Sequence, residues 1–459
     1  MSDKNNLYDF IVIGGGPTGS TVATYLCRYG YSVMVFERAK FPRQHEGESL
    51  LPFCNPIFKD LGIADDLKRK FVRKPGARFA SCDNKSNATW WFHNIIPGEN
   101  AISYHVIRAE FDDLLLKNAI KNGSFALQET RVEEVNLPTG NDDLVHVSTR
   151  HPERGTEHWR TKFVIDASGQ DTFLAKRLGT KKAVHDLDRI AFLAHWGNGN
   201  YIHGLEQGLI NIIYLDERKK GWLAIQPVGK DRLSVALIID RKYLKERKHI
   251  LSAEDPDNWQ LNLYLQEIRN SPFAHEILEQ ASIVQKMILV SDYSYSTDQR
   301  FGKHYALLGD AYKFLDPIFA TGVFLGMNSA KLFAEAMHQT LHDEAGSTQA
   351  LDKAFETIYG AFNLVERFIN IFYDPESFNL SELDPELGSK YQDFEMAFSM
   401  VHYLLAGDFF TNHEKYSTFL DLLKDPSQFK RWRSLVMSRP IDTDISYTYE
   451  DIFGSIVDA

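Results

Sequence analysis

Few cysteines, no long apolar stretch and no excess of positive charge mark this sequence first. Of 459 residues only three are cysteine, Cys27, Cys54 and Cys82, and none shares a CxxC pair. That spacing points away from a disulfide framework and from a zinc site, so small buried thiols and no metal centre are expected. No apolar run approaches the ~18–20 residues needed to span a bilayer. The opening MSDKNN leads straight into a strand-like segment without the apolar core of a secretory signal. A cytoplasmic location is therefore expected. Lys plus Arg number 51 against 62 Asp plus Glu, a net charge of −11. A chain this acidic is not built mainly to hold nucleic acid or an anionic membrane. There is no internal repeat and no low-complexity tract, and the length calls for two or three structural units.

What is present begins at Phe10. Phe10 to Ile13 is a short apolar strand, and Gly14, Gly16 and Gly19 follow as GxGxxG. Pro17 falls where the first helical turn should start, at a position whose N–H would have no partner anyway. Val22, Ala23 and Leu26 give one apolar helix face, and Gly30 closes the helix. Ser32 to Phe36 reads as a second strand ending at Glu37. The glycines let backbone approach a pyrophosphate, the helix N-terminus offers N–H groups and a positive dipole end, and the acid can accept from ribose hydroxyls.

Two later segments repeat the strand-then-turn logic. Phe163 to Ile165 runs into Asp166-Ala167-Ser168-Gly169, and Tyr305 to Leu308 runs into Gly309-Asp310-Ala311. An Asp at a strand end can accept from a polyol, and a flavin, unlike a nicotinamide, has a ribityl chain to anchor. FAD is the expected cofactor.

Between and beyond these lie the other expected elements. A helix is expected over Asn55 to Lys70 and a strand within Phe71 to Phe79. Large aromatics crowd residues 79–104, with strand composition at Ala88 to His93, and a helix follows within Tyr104 to Ile120. Residues 125–170 read as a β-meander. Ile212–Leu215, Gly221–Pro227 and Leu233–Ile239 read as neighbouring strands. Residues 256–285 look helical, and a long helical region starts near Val323 and runs through Leu351–Tyr373 and Tyr391–Leu405. Ala354, Phe355, Ile358, Phe362, Val365 and Phe368 keep the spacing of a core-facing stripe. The fold class expected is α/β (mixed α+β): a Rossmann-type FAD-binding domain with an inserted β-sheet substrate domain and a helical C-terminal region. The FAD-binding unit would comprise residues 1–80, 105–184 and 286–345; substrate-domain strands would occupy 81–104 and 185–285, and the helical region 346–459.

The run Phe41-Pro42-Arg43-Gln44-His45-Glu46-Gly47-Glu48-Ser49-Leu50-Leu51-Pro52 resembles the FPRxxxGESLLP signature of flavin-dependent halogenases. These belong to the wider group of para-hydroxybenzoate-hydroxylase-like flavoproteins, and the branch concerned acts on phenols, pyrroles or carrier-tethered substrates. The likeness continues through Arg108 in VIRAEFDDLL and on to Phe372-Tyr373-Asp374. It implies an oxidoreductase that uses reduced FAD, O2 and chloride or bromide to make hypohalous acid, which a lysine presents to an electron-rich aromatic. A separate flavin reductase would supply the reduced FAD, in keeping with the lack of a second GxGxxG.

Residue by residue, the resemblance implies Lys74 in FVRKPGARF as the catalytic lysine, with Glu48 and Ser49 beside it. FAD would be held by Gly14, Gly16, Pro17, Thr18, Gly19, Glu37, Arg38, Arg108, Asp166, Gly169, Asp310 and Gly322. The family's FxxPxxSxG appears as Phe314-Leu315-Asp316-Pro317-Ile318-Phe319-Ala320-Thr321-Gly322, with Ala320 in place of serine. The backbone N–H groups of Thr321 and Gly322 would hold the halide. Trp222, Pro227 and Phe319 would shape the substrate pocket. The family's WxWxIP is altered to Trp222-Leu223-Ala224-Ile225-Gln226-Pro227. Losing the second tryptophan leaves open a monooxygenase or dehydrogenase of the same fold. A flavin-binding protein without turnover is the third alternative.

Overall fold

The computed structural model describes residues 6–138, 143–183, 189–215, 221–290, 295–343, 347–374, 377, 379–382, 392–424, 447–454 and 456. The expected boundary at 184/185 and much of the expected C-terminal helical stretch, including 425–446, lie outside the described residues.

The strand Leu7–Ile13 is the axis of a sheet whose neighbours are parallel to it. Val33–Phe36 pairs on one side, with Phe10 opposite Val33 and Ile13 opposite Phe36. The C-terminal half of Gly155–Asp166 pairs on the other, with Ile13 opposite Asp166. Tyr305–Leu307 lies beyond that strand, and Phe125–Leu127 lies beyond Val33–Phe36. Phe10, Ile11 and Val12 are buried, as the continuous apolar run requires of a strand covered on both faces. This register brings Gly14, Glu37, Ala167 and Gly309 to one edge of the sheet, outside the carboxyl ends of parallel strands, where open α/β sheets bind ligands.

A second, seven-stranded sheet runs in the order Ser282–Val290, Arg189–Gly197, Arg232–Asp240, Trp222–Gly229, Ile210–Tyr214, Gly76–Ala80, Asn87–Trp91. Alternation along its strands separates two faces. Leu223, Ile225, Val235, Leu237 and Ile239 pack under the helices Arg241–Glu254, Trp259–Asn270 and Pro272–Leu278. Trp222, Ala224, Gln226, Ser234, Ala236 and Ile238 turn the other way. The helices Gly322–His342 and Gln349–Tyr373 carry the expected stripe, with Phe355, Ile358, Phe362, Val365 and Phe368 buried in the main core.

Several elements differ from expectation for local reasons. The helix expected over Asn55–Lys70 is two helices, Asn55–Leu61 and Ala64–Lys70, broken at Gly62 with φ +77°. The strand expected in Phe71–Phe79 is also two, because Pro75 interrupts it. Val72–Lys74 pairs with Ser103–His105, whereas Gly76–Ala80 joins the large sheet. Residues 256–285 are not one helical run. They hold two helices and the start of the strand Ser282–Val290, and the helix before them, Arg241–Glu254, begins where the Asp240 side chain accepts from the Lys242 and Tyr243 N–H groups. The meander narrows to Arg131–Asn136, Val145–His151 and Gly155–Asp166; Phe125–Leu127 pairs in parallel with Val33–Phe36 instead.

Candidate active site

A cavity of about 960 Å³ lies between the C-terminal edge of the parallel sheet and the open face of the seven-stranded sheet. The glycine turn forms one end. Gly14 has φ +101°, which a side chain would strain, and a Cβ there would strike the Ala167 carbonyl oxygen. The helix Pro17–Arg28 starts from Gly16 with no side-chain cap, so its first N–H groups are left for a ligand. Glu37 is buried and accepts from the N–H groups of Gly15 at 2.8 Å and Ala39 at 2.9 Å. Those bonds fix the carboxylate at the cavity wall, and each oxygen keeps a lone pair for a hydroxyl. Arg38, paired with Asp171, lines the same end.

The middle of the wall is cationic. Arg108 makes a bidentate pair with Asp112, at 2.8 Å and 2.9 Å, and donates to the Glu46 carbonyl. Arg43 reaches the same Asp112 carboxylate at 3.1 Å. Two guanidiniums thus share one buried carboxylate, and together they hold that carboxyl below its usual range despite burial. Asp310 faces them from the GDA turn, where burial and the neighbouring Glu46 push its carboxyl up to about 7. An open pyrophosphate-binding helix end, an acid beside it, surplus guanidinium charge and a second acid further along match the parts of FAD in order. The residues present fit that cofactor.

The far end is where the Gly322–His342 helix begins. Ala320 adopts φ +55°, and the N–H groups of Thr321 and Gly322 have no acceptor among the described residues while both residues line the cavity. The segment before them is braced from outside. Trp222 Nε1 donates to the Tyr373 hydroxyl at 2.8 Å, and that hydroxyl donates to Asp316 at 2.9 Å. Asp316 in turn accepts from the Ile318 N–H at 3.1 Å. Burial raises the Asp316 carboxyl to about 6. A Tyr373→Phe variant leaves Trp222 Nε1 buried without an acceptor. It should lose about 2 kcal/mol of stability, read as a lower urea midpoint.

Lys74 does not line this cavity. It is 2% exposed, its amine donates to the Leu50 carbonyl at 3.0 Å, and the Phe92 ring lies 5.4 Å from it. Burial pushes its amine down to about 7. Glu48 and Ser49, from the segment that passes Lys74, do line the cavity. Glu48 is tied to the buried His195 by a 2.8 Å hydrogen bond.

Besides Lys74, the structure places four of the expected site residues off the cavity wall. Asp166 accepts from Ser168 and Leu174 N–H groups, so it anchors the next helix rather than facing a ligand. Gly19 lies behind the turn, against the Gly14 carbonyl. Pro227 falls on the opposite face of its strand from Gln226, because side chains alternate. Phe319 stacks on Phe368 at 4.2 Å and abuts Phe372, inside the helical layer. Gly14, Gly16, Pro17, Thr18, Glu37, Arg38, Arg108, Gly169, Asp310, Thr321, Gly322 and Trp222 border the cavity. Ala224 and Gln226, the departures from the family motif, border it too.

Sequence reasoning missed Asp112 and His195. The i, i+4 spacing of Arg108 and Asp112 on one helix was a usable signal. Nothing local signals His195.

Residues 8–356 match the model of the FAD binding domain family. The chain is 30% identical over 373 residues to the flavin-dependent halogenase armH1 of Armillaria mellea, covering 78% of this chain and 70% of that one. It is 26% identical over 394 residues to a 1H-pyrrole-2-carbonyl-[peptidyl-carrier protein] chlorinase of Pseudomonas fluorescens, covering 81% and 84%. Among solved structures, the myxobacterial chondrochloren halogenase CndH is similar with a TM-score of 0.72 and 26% identity, over 92% of this chain and 97% of that one. Among the described residues no helix is long and apolar enough to cross a membrane.

Proposed function

This chain belongs to the flavin-dependent halogenases of the FAD binding domain family, and from that we propose a division of labour among its residues. Reduced FAD, with O2 and halide, supplies hypohalous acid. Gly14, Gly16, Thr18, Glu37, Arg43, Arg108 and Asp310 hold the cofactor. The free N–H groups of Thr321 and Gly322 hold chloride or bromide, which a concave pair of backbone donors suits. Lys74 orients hypohalous acid toward an electron-rich aromatic ring. The ring is a phenol, pyrrole or indole, either free or thioester-linked to a carrier protein. A separate reductase provides reduced FAD.

One observation carries the assignment of Lys74. The segment 41–52 borders the cavity from Arg43 to Ser49, and its next residue, Leu50, receives the Lys74 hydrogen bond. A buried amine near neutrality, one residue beyond the cofactor wall, is placed to take a small reagent that leaves it.

The test uses purified protein, FAD, a flavin reductase, NADH, bromide or chloride, and phenol, pyrrole and indole substrates. Halogenated product, seen by its isotope pattern and lost in Lys74→Ala with FAD still bound, is expected. Hydroxylated product that ignores halide overturns the reading.

A further inference from the structure

Lys74 is not the only polar group on its patch of backbone. The strand Val72–Lys74 runs antiparallel to Ser103–His105, with Lys74 opposite Ser103 and Val72 opposite His105. On the other side, Ser49 bridges to His105. Directly opposed residues share a face, and residues two apart along a strand return to it. Lys74, Ser103, His105 and Ser49 therefore project from one face of a three-strand patch.

All four are buried, none more than 6% exposed. Among the described residues, Ser49 Oγ, Ser103 Oγ and His105 Nδ1 have no hydrogen-bond partner. His105 Nε2 lies 2.9 Å from the Gly208 carbonyl oxygen. A carbonyl can only accept, so Nε2 carries the proton and Nδ1 presents a bare lone pair. Burial and the nearby Lys74 amine both hold this imidazole well below its usual range, so it stays neutral. Lys74 commits one N–H to Leu50 and keeps its others. Buried polar atoms are nearly always satisfied by protein or by a small guest. Here two hydroxyls, one acceptor nitrogen and spare amine hydrogens share one buried face, and Ser49 also borders the cofactor cavity.

We propose that Ser103 and His105, with Ser49 and Lys74, form a binding subsite for hypohalous acid. Lys74 donates to the acid's oxygen, the acid's O–H donates to His105 Nδ1, and the Ser103 hydroxyl fixes the oxygen from the side, leaving the halogen as the free end. Attack by the aromatic carbon forms the carbon–halogen bond with the ring's electron pair. The oxygen–halogen bond breaks with its pair going to oxygen, which takes a proton from the Lys74 ammonium and leaves as water. The ring then gives up its proton, which restores the ammonium. The subsite rests on the reading of Lys74 given above.

The test compares the parent with Ser103→Ala, Ser103→Thr and Lys74→Ala, using FAD, a reductase, NADH, bromide and a phenol. Brominated phenol per NADH is measured, and escaped hypobromous acid is captured by a β-diketone trap. Ser103→Ala should bind FAD and consume NADH as the parent does. Its capture of bromine on phenol should fall at least ~3-fold while trapped hypobromous acid rises to match, and Ser103→Thr should restore capture. Ser103→Ala should also melt no lower than the parent, since it removes a buried hydroxyl that has no partner. If it does not yield FAD-binding protein, Ser103→Gly gives the same readout. Unchanged capture without the hydroxyl overturns the subsite. If Lys74→Ala loses product while Ser103→Ala keeps capture, only the subsite fails. Full product from Lys74→Ala overturns the Lys74 reading itself.

Discussion

Lys74→Met should give a protein that binds FAD, makes far less halogenated product and unfolds at a higher temperature than the parent. Methionine matches the unbranched length of lysine and fills the same space beside Phe92, so packing is kept. The amine it removes is fully buried and has been pushed down to about 7. In the unfolded chain the same amine holds its proton to about pH 10. Between those values the unfolded state binds more protons, so the parent's stability rises with pH across that window. Below pH 7 the native state bears the full cost of a buried cation that has no acid partner among the described residues. The gain from Lys74→Met should therefore be largest at or below pH 7, on the order of 3 kcal/mol at pH 6, and should shrink toward pH 10. Product formation should fall roughly a hundredfold or more, the scale of a lost proton donor. Melting curves at pH 6 and pH 9.5, beside turnover with bromide, check both halves. A residue that costs stability and is needed for turnover is held for function. A less stable Lys74→Met would show that the amine serves the fold.

Sequence reading succeeded where the physics is local. The strand, glycine turn, helix and second strand of residues 7–37 each follow from a few adjacent residues, and the register confirms their order. The edge on which Gly14, Glu37 and Gly309 meet follows from placing three strand ends in one parallel sheet. Failure came where a side chain's partner is distant. Glu48 and His195 lie 147 positions apart and meet only because a strand of the second sheet crosses the segment 41–52. The subsite around Lys74 depends on which strands pair, and periodicity does not reveal that. Asp166 looked like a cofactor ligand because it ends a strand. The short helix Phe173–Arg177, whose N–H it accepts, was not foreseen. Pro227 and Phe319 were assigned by motif position. Strand alternation and a stack of phenylalanines decided which way each faces.

Gly19→Ala and Gly16→Ala should separate folding from cofactor binding within one glycine motif. A Cβ on Gly19 would fall on the Gly14 carbonyl oxygen and crowd Val12. Neither end of that contact can move cheaply: Gly14 is held by its N–H bond to the Phe36 carbonyl at 2.8 Å, and Val12 is buried in the central strand and paired on both sides. Relief requires the helix Pro17–Arg28 to lift from the sheet, which uncovers Val22, Ala23 and Leu26. The cost should be about 4 kcal/mol or more, with a lower melting point even without FAD. Gly16 is different. Its φ of −68° suits any residue, and a Cβ there would meet only Arg43 Nη2 at 3.4 Å, an ordinary contact. Gly16→Ala should therefore melt like the parent without FAD. The added methyl occupies the space before the helix N-terminus, so FAD should bind roughly tenfold more weakly, about 1.4 kcal/mol. Thermal melts of the FAD-free proteins and a flavin fluorescence titration read the two effects separately. If Gly19→Ala leaves the FAD-free melting point unchanged, the close approach of helix to turn does not support the fold. If Gly16→Ala binds FAD as tightly as the parent, the pyrophosphate does not lie against that turn.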